Sequence, residues 1–423
     1  MARSLTPRDC HALINLVVKE ATGQDGSIQA VDSSTFVAVG EQLLNLGQEN
    51  VLNALSLVLG RTFVAVRPYN AKLNILNKIT SDEYASRLRK ISFYSREAQA
   101  SGDFNTQSYT NLAMGYDNGT NSNNSTPSMW EQNQAIPLEL DFSGSSVWED
   151  STTVYEYQLK QAFRSEADFA QFVSGIMTEK GNDLESQKEA FNRMTLLNYI
   201  GGLYDLGAGG IISGSQRNMT AEYNAKFGTS YTTAQLLSTY LKEFLEFFVS
   251  EVKKTSDWIT NRSALRHWSP AKTINGVSYK LLRHTPKDRQ KLLLYSPLMT
   301  EAEARIMPEI FNPEYLSLDN YEGVEFWQNQ NDPMGVDVIP AIPDSVNTGF
   351  PTIAGAEVKD IKVLGVLFDE DALMTQFMLD RSYTTPLEAR KAYRNIWWSY
   401  MKNAICDFTE NGVLFYMEDP ATP

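Results

Sequence analysis

The stretch Asn182-Asp183-Leu184-Glu185-Ser186-Gln187-Lys188-Glu189-Ala190-Phe191-Asn192-Arg193-Met194-Thr195-Leu196-Leu197-Asn198-Tyr199-Ile200 sets Leu184, Phe191, Met194, Leu197 and Ile200 at helical spacing, with Glu185, Lys188 and Arg193 away from them. The pattern predicts one helix from Asn182 to Ile200, about 29 Å long at ~1.5 Å per residue. Gly201-Gly202 follows and would close it, because glycine weakens a helix interior. The stripe would seat the helix on a β-sheet and make it the spine of the subunit.

Working outward, Ile136-Pro137-Leu138-Glu139-Leu140-Asp141-Phe142 alternates with period two, as a half-buried strand does. Downstream, Gly207-Ala208-Gly209-Gly210-Ile211-Ile212-Ser213-Gly214 has the glycines of a phosphate loop but not the spacing. Ile212 stands where the third glycine of a dinucleotide fingerprint belongs, so these are turn glycines. Thr232-Thr233-Ala234-Gln235 reads as a capping box opening a helix over 232–259, striped by Leu237, Leu241, Phe244, Phe248 and Val252. Lys291-Leu292-Leu293-Leu294-Tyr295 is a short buried strand. Thr300-Glu301-Ala302-Glu303 would cap a helix ending near Pro308. Gly323–Trp327, Val336–Pro340 and Lys362–Phe368 are further strands. Thr385-Pro386-Leu387-Glu388 has the chemistry of a helix start. A short turn and then strand is preferred there. Few helices and scattered strands make the fold class α+β.

The amino-terminal third is different. Residues 1–60 carry short apolar helical spacings, from Thr35-Phe36-Val37-Ala38-Val39 to Val58-Leu59, that need a partner surface. An ordinary core element and an arm packed on a neighbour both fit. Thr62-Phe63-Val64-Ala65-Val66-Arg67-Pro68-Tyr69 is a strand ended by its proline. Residues 100–135 are rich in Asn, Ser and Thr, too polar to hold a fold alone. Tyr109, Leu112, Met114, Tyr116, Met129 and Trp130 punctuate them and are candidate inter-subunit contacts. The alternatives are a plain surface loop and the distal part of an extended loop that reaches a neighbour.

Composition narrows the function classes. Apolar residues are 42% and charged residues 21% of 423, as in folded proteins. The net charge is −14, without the basic stripe that grips phosphates. The densest basic stretch, Arg283 to Lys291, reads as a solvated loop. Cys10 and Cys406 are far apart and suggest neither a disulfide framework nor a zinc site; Cys406 reads as a core thiol. Leu13-Ile14-Asn15-Leu16-Val17-Val18 is too short for a secretory signal, and no apolar run reaches the ~20 residues of a membrane span. His11, His267 and His284 are scattered. Asp369-Glu370-Asp371 lacks the glycine turn and distal Glu of a calcium loop and suits a solvated helix start. No catalytic set, metal site or cofactor site is expected.

Three blocks together resemble the major head proteins of tailed bacteriophages, especially small short-tailed ones, which share the Hong Kong 97-like fold. The first runs from Tyr155-Glu156-Tyr157-Gln158-Leu159-Lys160 through Phe169–Ile176 to Tyr199. The second is Lys291–Pro297 with Pro308-Glu309-Ile310-Phe311. The third is Val363–Asp369, Tyr393–Trp398 and Asn411–Phe415. The likeness is one of order and texture across about 150–423. It implies an amino-terminal arm (1–60), an extended loop (61–150), a peripheral domain with the spine helix (151–205 and 370–423) and an axial domain (206–369). It further implies a non-enzymatic subunit that self-assembles into hexamers and pentamers of an icosahedral shell. Scaffolding and portal proteins would be partners, with double-stranded DNA enclosed without sequence-specific binding and no membrane contact. Synthesis in a bacterial host cytoplasm and residence in the virion would follow. An encapsulin-type compartment shell is the rival within the same fold; an enzyme with an unrecognised site is the rival from another class.

Overall fold

In the computed structural model the described residues are 7–22, 30, 35–40, 87–95, 135–143, 146–155, 158, 166–270, 272–274, 277–301, 321–344, 351–386, 388 and 390–419. Helix α1 (Pro7–Thr22) is followed by strands β1 (Arg87–Phe93), β2 (Pro137–Ser143) and β3 (Ser146–Tyr155), then by helix α2 (Glu166–Ala208). Next come β4 (Gln216–Asn218), α3 (Met219–Phe227), α4 (Thr233–Leu236) and α5 (Leu241–Ile259). The remainder is β-rich: β5 (Lys272–Ile274), β6 (Val277–Tyr279), β7 (Gln290–Tyr295), β8 (Tyr321–Val324), β9 (Gly335–Val338), β10 (Ala341–Pro343) and β11 (Thr352–Ala354). Four longer or central strands close the chain: β12 (Val358–Asp369), β13 (Leu373–Thr384), β14 (Tyr393–Cys406) and β15 (Gly412–Met417).

The largest sheet has the order β4-β15-β12-β7-β8, with β9 added along the other half of β12. Its two faces are covered by different helices. Leu293, Val363, Val366, Phe368, Leu414 and Tyr416 meet Leu196, Tyr199, Ile200 and Leu203 of α2. Leu292, Leu294, Leu364, Leu367, Val413, Phe415 and Met417 point the opposite way, onto Phe244, Leu245, Phe248 and Val252 of α5. A sheet buried on both faces needs apolar residues at every position, which is why these strands read as unbroken apolar runs. A second, antiparallel sheet, β13-β14-β3, joins the strand that precedes α2 to two strands near the end of the chain. Thr375 of β13 donates to Asn192 Oδ1 of α2 at 2.7 Å, and Lys180 of α2 pairs with Asp150 of β3 at 2.8 Å.

The spine helix exists, but it is 43 residues long, not 19. At ~1.5 Å per residue it spans about 65 Å. Gly201 and Gly202 do not close it. A Cβ at Gly201 would lie 2.6 Å from Val338 Cγ1, and one at Gly202 would lie 2.3 Å from Phe408 Cζ. Both glycines sit where the helix crosses its neighbours too closely for a side chain. The predicted stripe is also rotated. Met194 is 58% exposed and Phe191 is half-buried, whereas Glu185, Asn192, Thr195, Leu196, Tyr199 and Ile200 are buried. Polar residues on the inner face, such as Asn192, hid its true position.

The capping box at Thr232 and Gln235 forms as read. The helix behind it is broken, however. The N–H groups of Thr239 and Tyr240 both bond to Gln235 O, and Tyr240 stacks on Tyr231 with centroids 4.0 Å apart, so α5 starts afresh at Leu241. Thr300 is no cap: it lies in a helix beginning at residue 296, and its hydroxyl donates to Ser296 O at 3.1 Å. Asp369-Glu370-Asp371 ends β12 and turns the chain into β13 of the other sheet, and is not a helix start. Asp369 is buried and accepts from Thr285 Oγ1 at 2.7 Å. Of the glycines at 207–214, Gly209, Gly210 and Gly214 lie in turns, while Gly207 is in the last turn of α2. The strand read at 136–142 is found at 137–143, and the short turn before β14 is as read, closed by a bridge between Glu388 and Tyr393.

Near the amino terminus, α1 packs against α2 with Ile14, Val17 and Val18 buried, and Phe36 and Val39 of the helical segment 35–40 are buried too. The strand read at 62–69 lies outside the described residues. No helix among the described residues is long and apolar enough to cross a membrane.

Candidate assembly surface and its polar junction

The six contact candidates, Tyr109, Leu112, Met114, Tyr116, Met129 and Trp130, lie outside the described residues. The strands that lead to and from them are described. β1 and β2 pair antiparallel from Arg87↔Ser143 to Phe93↔Pro137 and form a two-stranded sheet of their own. On β2 the expected alternation holds, with Leu138 buried and Glu139 and Asp141 exposed. On β1 it is inverted. Ile91 and Phe93 are 56% and 60% exposed, whereas Ser92 is buried. The strand thus presents an exposed apolar face on one side and a polar anchor on the other.

The anchor is a cluster of charges. Lys90 Nζ bonds to both Asp407 and Glu410 on the loop between β14 and β15. Arg283 reaches the same place: one Nη donates to Ser92 Oγ at 2.6 Å and lies 3.2 Å from Glu410, while Nε donates to Thr409 O at 3.2 Å. Arg283 was expected in a solvated loop. Its neighbours Lys287 to Arg289 are indeed exposed, but its own guanidinium closes the junction because two carboxylates there need more than one cation. Arg262 binds Ser95 Oγ, and Ser95 pairs with Lys280 through backbone bonds. Burial alone would lower the Lys90 pKa; the charges of Asp407 and Glu410 more than offset it, so the pKa is raised. Burial pushes the Glu410 carboxyl up, and Lys90 and Arg283 pull it only part of the way back.

Behind this cluster, His267 is buried and donates from Nε2 to Leu281 O at 2.8 Å, with Asn411 at its other nitrogen. Burial pushes its pKa down, which favours the neutral ring. Cys406 donates to Thr195 O at 3.5 Å, and burial lifts its thiol to about 11, so it is the core thiol expected. Among the described residues no group of three His, Cys, Asp or Glu could hold a metal ion. The chemistry here is that of structural ion pairing.

Further exposed apolar side chains lie on other elements. Val147 and Trp148, on the edge strand β3, are 56% and 49% exposed; Lys402 Nζ sits 3.8 Å from the centre of the Trp148 ring. Met194 and Ile339 border a cleft of about 870 Å³ between β2, the middle of α2 and residues 337–343. Of the junction residues only Arg283 stood out in the sequence, and there as part of a basic stretch rather than as a partner of Glu410. The available signal was the polar run Asp407 to Asn411 set between two apolar strands, with its cations 317 residues from Asp407 (Lys90) and 126 residues from Thr409 (Arg283).

No protein-family model and no curated protein matches the chain. Solved structures do match. A chain in the structure of head fiber and inner core protein gp22 of native bacteriophage P68 superposes with a TM-score of 0.51 at 12% identity, covering 82% of this chain and 85% of that one. The capsid structure of Staphylococcus phage Andhra gives a TM-score of 0.48 at 11% identity, with 82% and 84% covered. The capsid structure of the cyanophage P-SCSP1u gives 0.40 at 10%, with 81% and 86% covered. The P68 superposition shows the fold, the α+β Hong Kong 97-like one.

Proposed function

We propose that this chain is the major capsid protein of a tailed bacteriophage, a non-enzymatic subunit that self-assembles into the hexamers and pentamers of an icosahedral head. The observation that carries the reading is the P68 likeness, which covers 82% of this chain. The inverted strand β1 agrees with it, since a subunit built to associate exposes apolar surface that a monomer would bury.

The mechanism is interface physics. Each contact is weak enough for errors to anneal, and the sum over many copies stabilises the container. We assign 1–60 to an amino-terminal arm, 61–150 to an extended loop anchored at Lys90, 151–205 with 370–423 to a peripheral domain, and 206–369 to an axial domain. β15 joins the sheet of β7 and β12, so the last two share a strand. Tyr109, Leu112, Met114, Tyr116, Met129 and Trp130 are the proposed inter-subunit contacts of the loop. A scaffolding protein, a portal ring and enclosed double-stranded DNA are the proposed partners, and the shell of the virion the proposed location, after synthesis in the host cytoplasm. The charge of −14 suits a wall that holds DNA without adhering to it.

Light scattering on the full chain, with and without a scaffolding protein, tests this reading. Masses of many subunits are expected. A mass that stays at the 47.6 kDa of one chain at every concentration in both conditions overturns it.

A further inference from the structure

Trp258, on the last turn of α5, has two guanidinium groups close to its ring. Arg217 Cζ is 5.6 Å and Arg266 Cζ 5.4 Å from its ring centre. The two arginines differ in what else they touch. Arg217 uses all five of its N–H donors: Nε and Nη2 on Glu222, Nη2 again on Glu251, and Nη1 on Thr255 Oγ1 at 2.6 Å and Glu251 O at 3.2 Å. The guanidinium of Arg266 has no carboxylate partner among the described residues; the Trp258 ring is its contact. Burial and the charge of Arg217 both lower its pKa, and no carboxylate among the described residues compensates it.

The described surroundings add positive charge. Lys226 and Lys254 also crowd onto Glu251, which sets four cations, Arg217, Lys226, Lys254 and Arg266, against the two carboxylates Glu222 and Glu251. The patch is thus positive in a chain whose net charge is −14. It is apolar as well. Trp258 is 45% and Leu265 53% exposed, and Gly214 N–H bonds to Leu265 O at 2.8 Å, which brings the exposed Ile211 turn alongside. Tryptophan, arginine and a rim of aliphatic carbon are the composition of a protein-binding hot spot. A bare phosphate backbone would gain nothing from the aliphatic part and would meet a negative molecule on approach.

We propose that Arg266, stacked on Trp258 and flanked by Leu265, receives a carboxylate-bearing segment of a second copy of this chain. The inference rests on the self-assembly reading above. Guanidinium and carboxylate match as a two-pronged pair, and Trp258 holds the fork in place before the partner arrives.

The test uses full-length chain under the conditions in which the wild type forms shells. Arg266→Glu is expected to lower shell yield at least tenfold, by electron microscopy and sedimentation, with an unchanged melting temperature. Full yield overturns the proposal. Should Arg266→Glu fail to fold, Arg266→Lys decides. Copies with and without ¹⁵N are co-assembled and treated with a water-soluble carbodiimide, which joins an amine to a carboxylate in direct contact. Cross-links from position 266 to Asp or Glu of the differently labelled copy support the proposal; cross-links confined to one copy, or none, overturn it. A labelled DNA oligonucleotide bound tenfold more tightly by wild type than by Arg266→Glu, with equal shell yields, assigns the patch to nucleic acid and also overturns it. If the wild type itself forms no shells, the self-assembly reading fails, and it does so before any substitution is made.

Discussion

Lys90 and Asp407 are 317 residues apart in sequence and bonded in space, and this pair fastens the β1–β2 hairpin to the body of the subunit. The hairpin pairs with no other strand among the described residues, so side-chain bonds do what a sheet ladder would otherwise do. Replacing Lys90 with Met would leave Asp407 and Glu410 with Arg283 as the nearest cation. Breaking a fully buried pair costs roughly 3–5 kcal/mol. The Lys90 side chain is 25% exposed, so about 2–3 kcal/mol is expected here. Urea unfolding of Lys90→Met measures it; a loss under ~0.5 kcal/mol would mean the pair is ornamental. Because the folded Lys90 pKa is raised, its contribution is fully present below the ordinary lysine value and disappears only in strong alkali.

Two buried glutamates should respond to acid with opposite signs. Burial would raise the Glu251 pKa, but hydrogen bonds and charge from Lys254 and Arg217 hold it below the ordinary value. Its stabilisation is therefore present above about pH 4.3 and lost as pH falls through the folded pKa. Glu410 has a raised folded pKa, so its contribution is greatest below about pH 4.3 and is lost as pH rises through the folded value. Glu251→Gln should consequently weaken the fold at pH 7 and converge on wild type in acid. Glu410→Gln should gain relative to wild type between pH 4 and 7. Melting temperatures across that range read both signs, and parallel curves would contradict them.

Two glycines of one helix should also behave oppositely. An added methyl at Gly202 would lie 2.3 Å from Phe408 Cζ, whereas nothing lies within 4 Å of one at Gly175. Gly175→Ala is expected to stabilise by about 0.5–1 kcal/mol, the helix preference of alanine over glycine. Gly202→Ala carries the same preference but overpacks the crossing, for a net loss of about 1–2 kcal/mol. Thermal unfolding of the pair separates helix propensity from close approach.

The glycines also show what the sequence made legible. Gly201-Gly202 looked like an ending because glycine's local effect is visible in sequence and the strands that press on it are not. The strands of the large sheet were legible, since burial on both faces leaves continuous apolar runs such as Leu292-Leu293-Leu294. The spine helix was legible as a helix, but its extent and inner face were not. Its buried side carries Asn192, which accepts from Thr375 on the distant strand β13, and Thr195, whose hydroxyl donates to Phe191 O within the helix. The junction was illegible for the same reason: Lys90, Arg283 and Glu410 take their meaning only from a contact that spans most of the chain. The six loop residues named from sequence lie outside the described residues, and their role stays a proposal.

Met194 and Ile339 border the same cleft and are both more than half exposed. Removing an exposed side chain costs little, so Met194→Ser and Ile339→Ser should each shift stability by less than about 0.5 kcal/mol. If the cleft is a contact face in the shell, the double substitution should still reduce shell yield. Matched unfolding and sedimentation measurements check this; a lowered stability with unimpaired assembly would place both residues in the fold instead.

The most direct measurement of the central claim is negative-stain electron microscopy of the full chain, expressed alone and together with a scaffolding protein. Self-assembly as a major capsid protein gives closed icosahedral shells, or rings of five and six subunits, in at least one of the two preparations. Fields of isolated subunits in both, from protein that is folded and soluble, would contradict it.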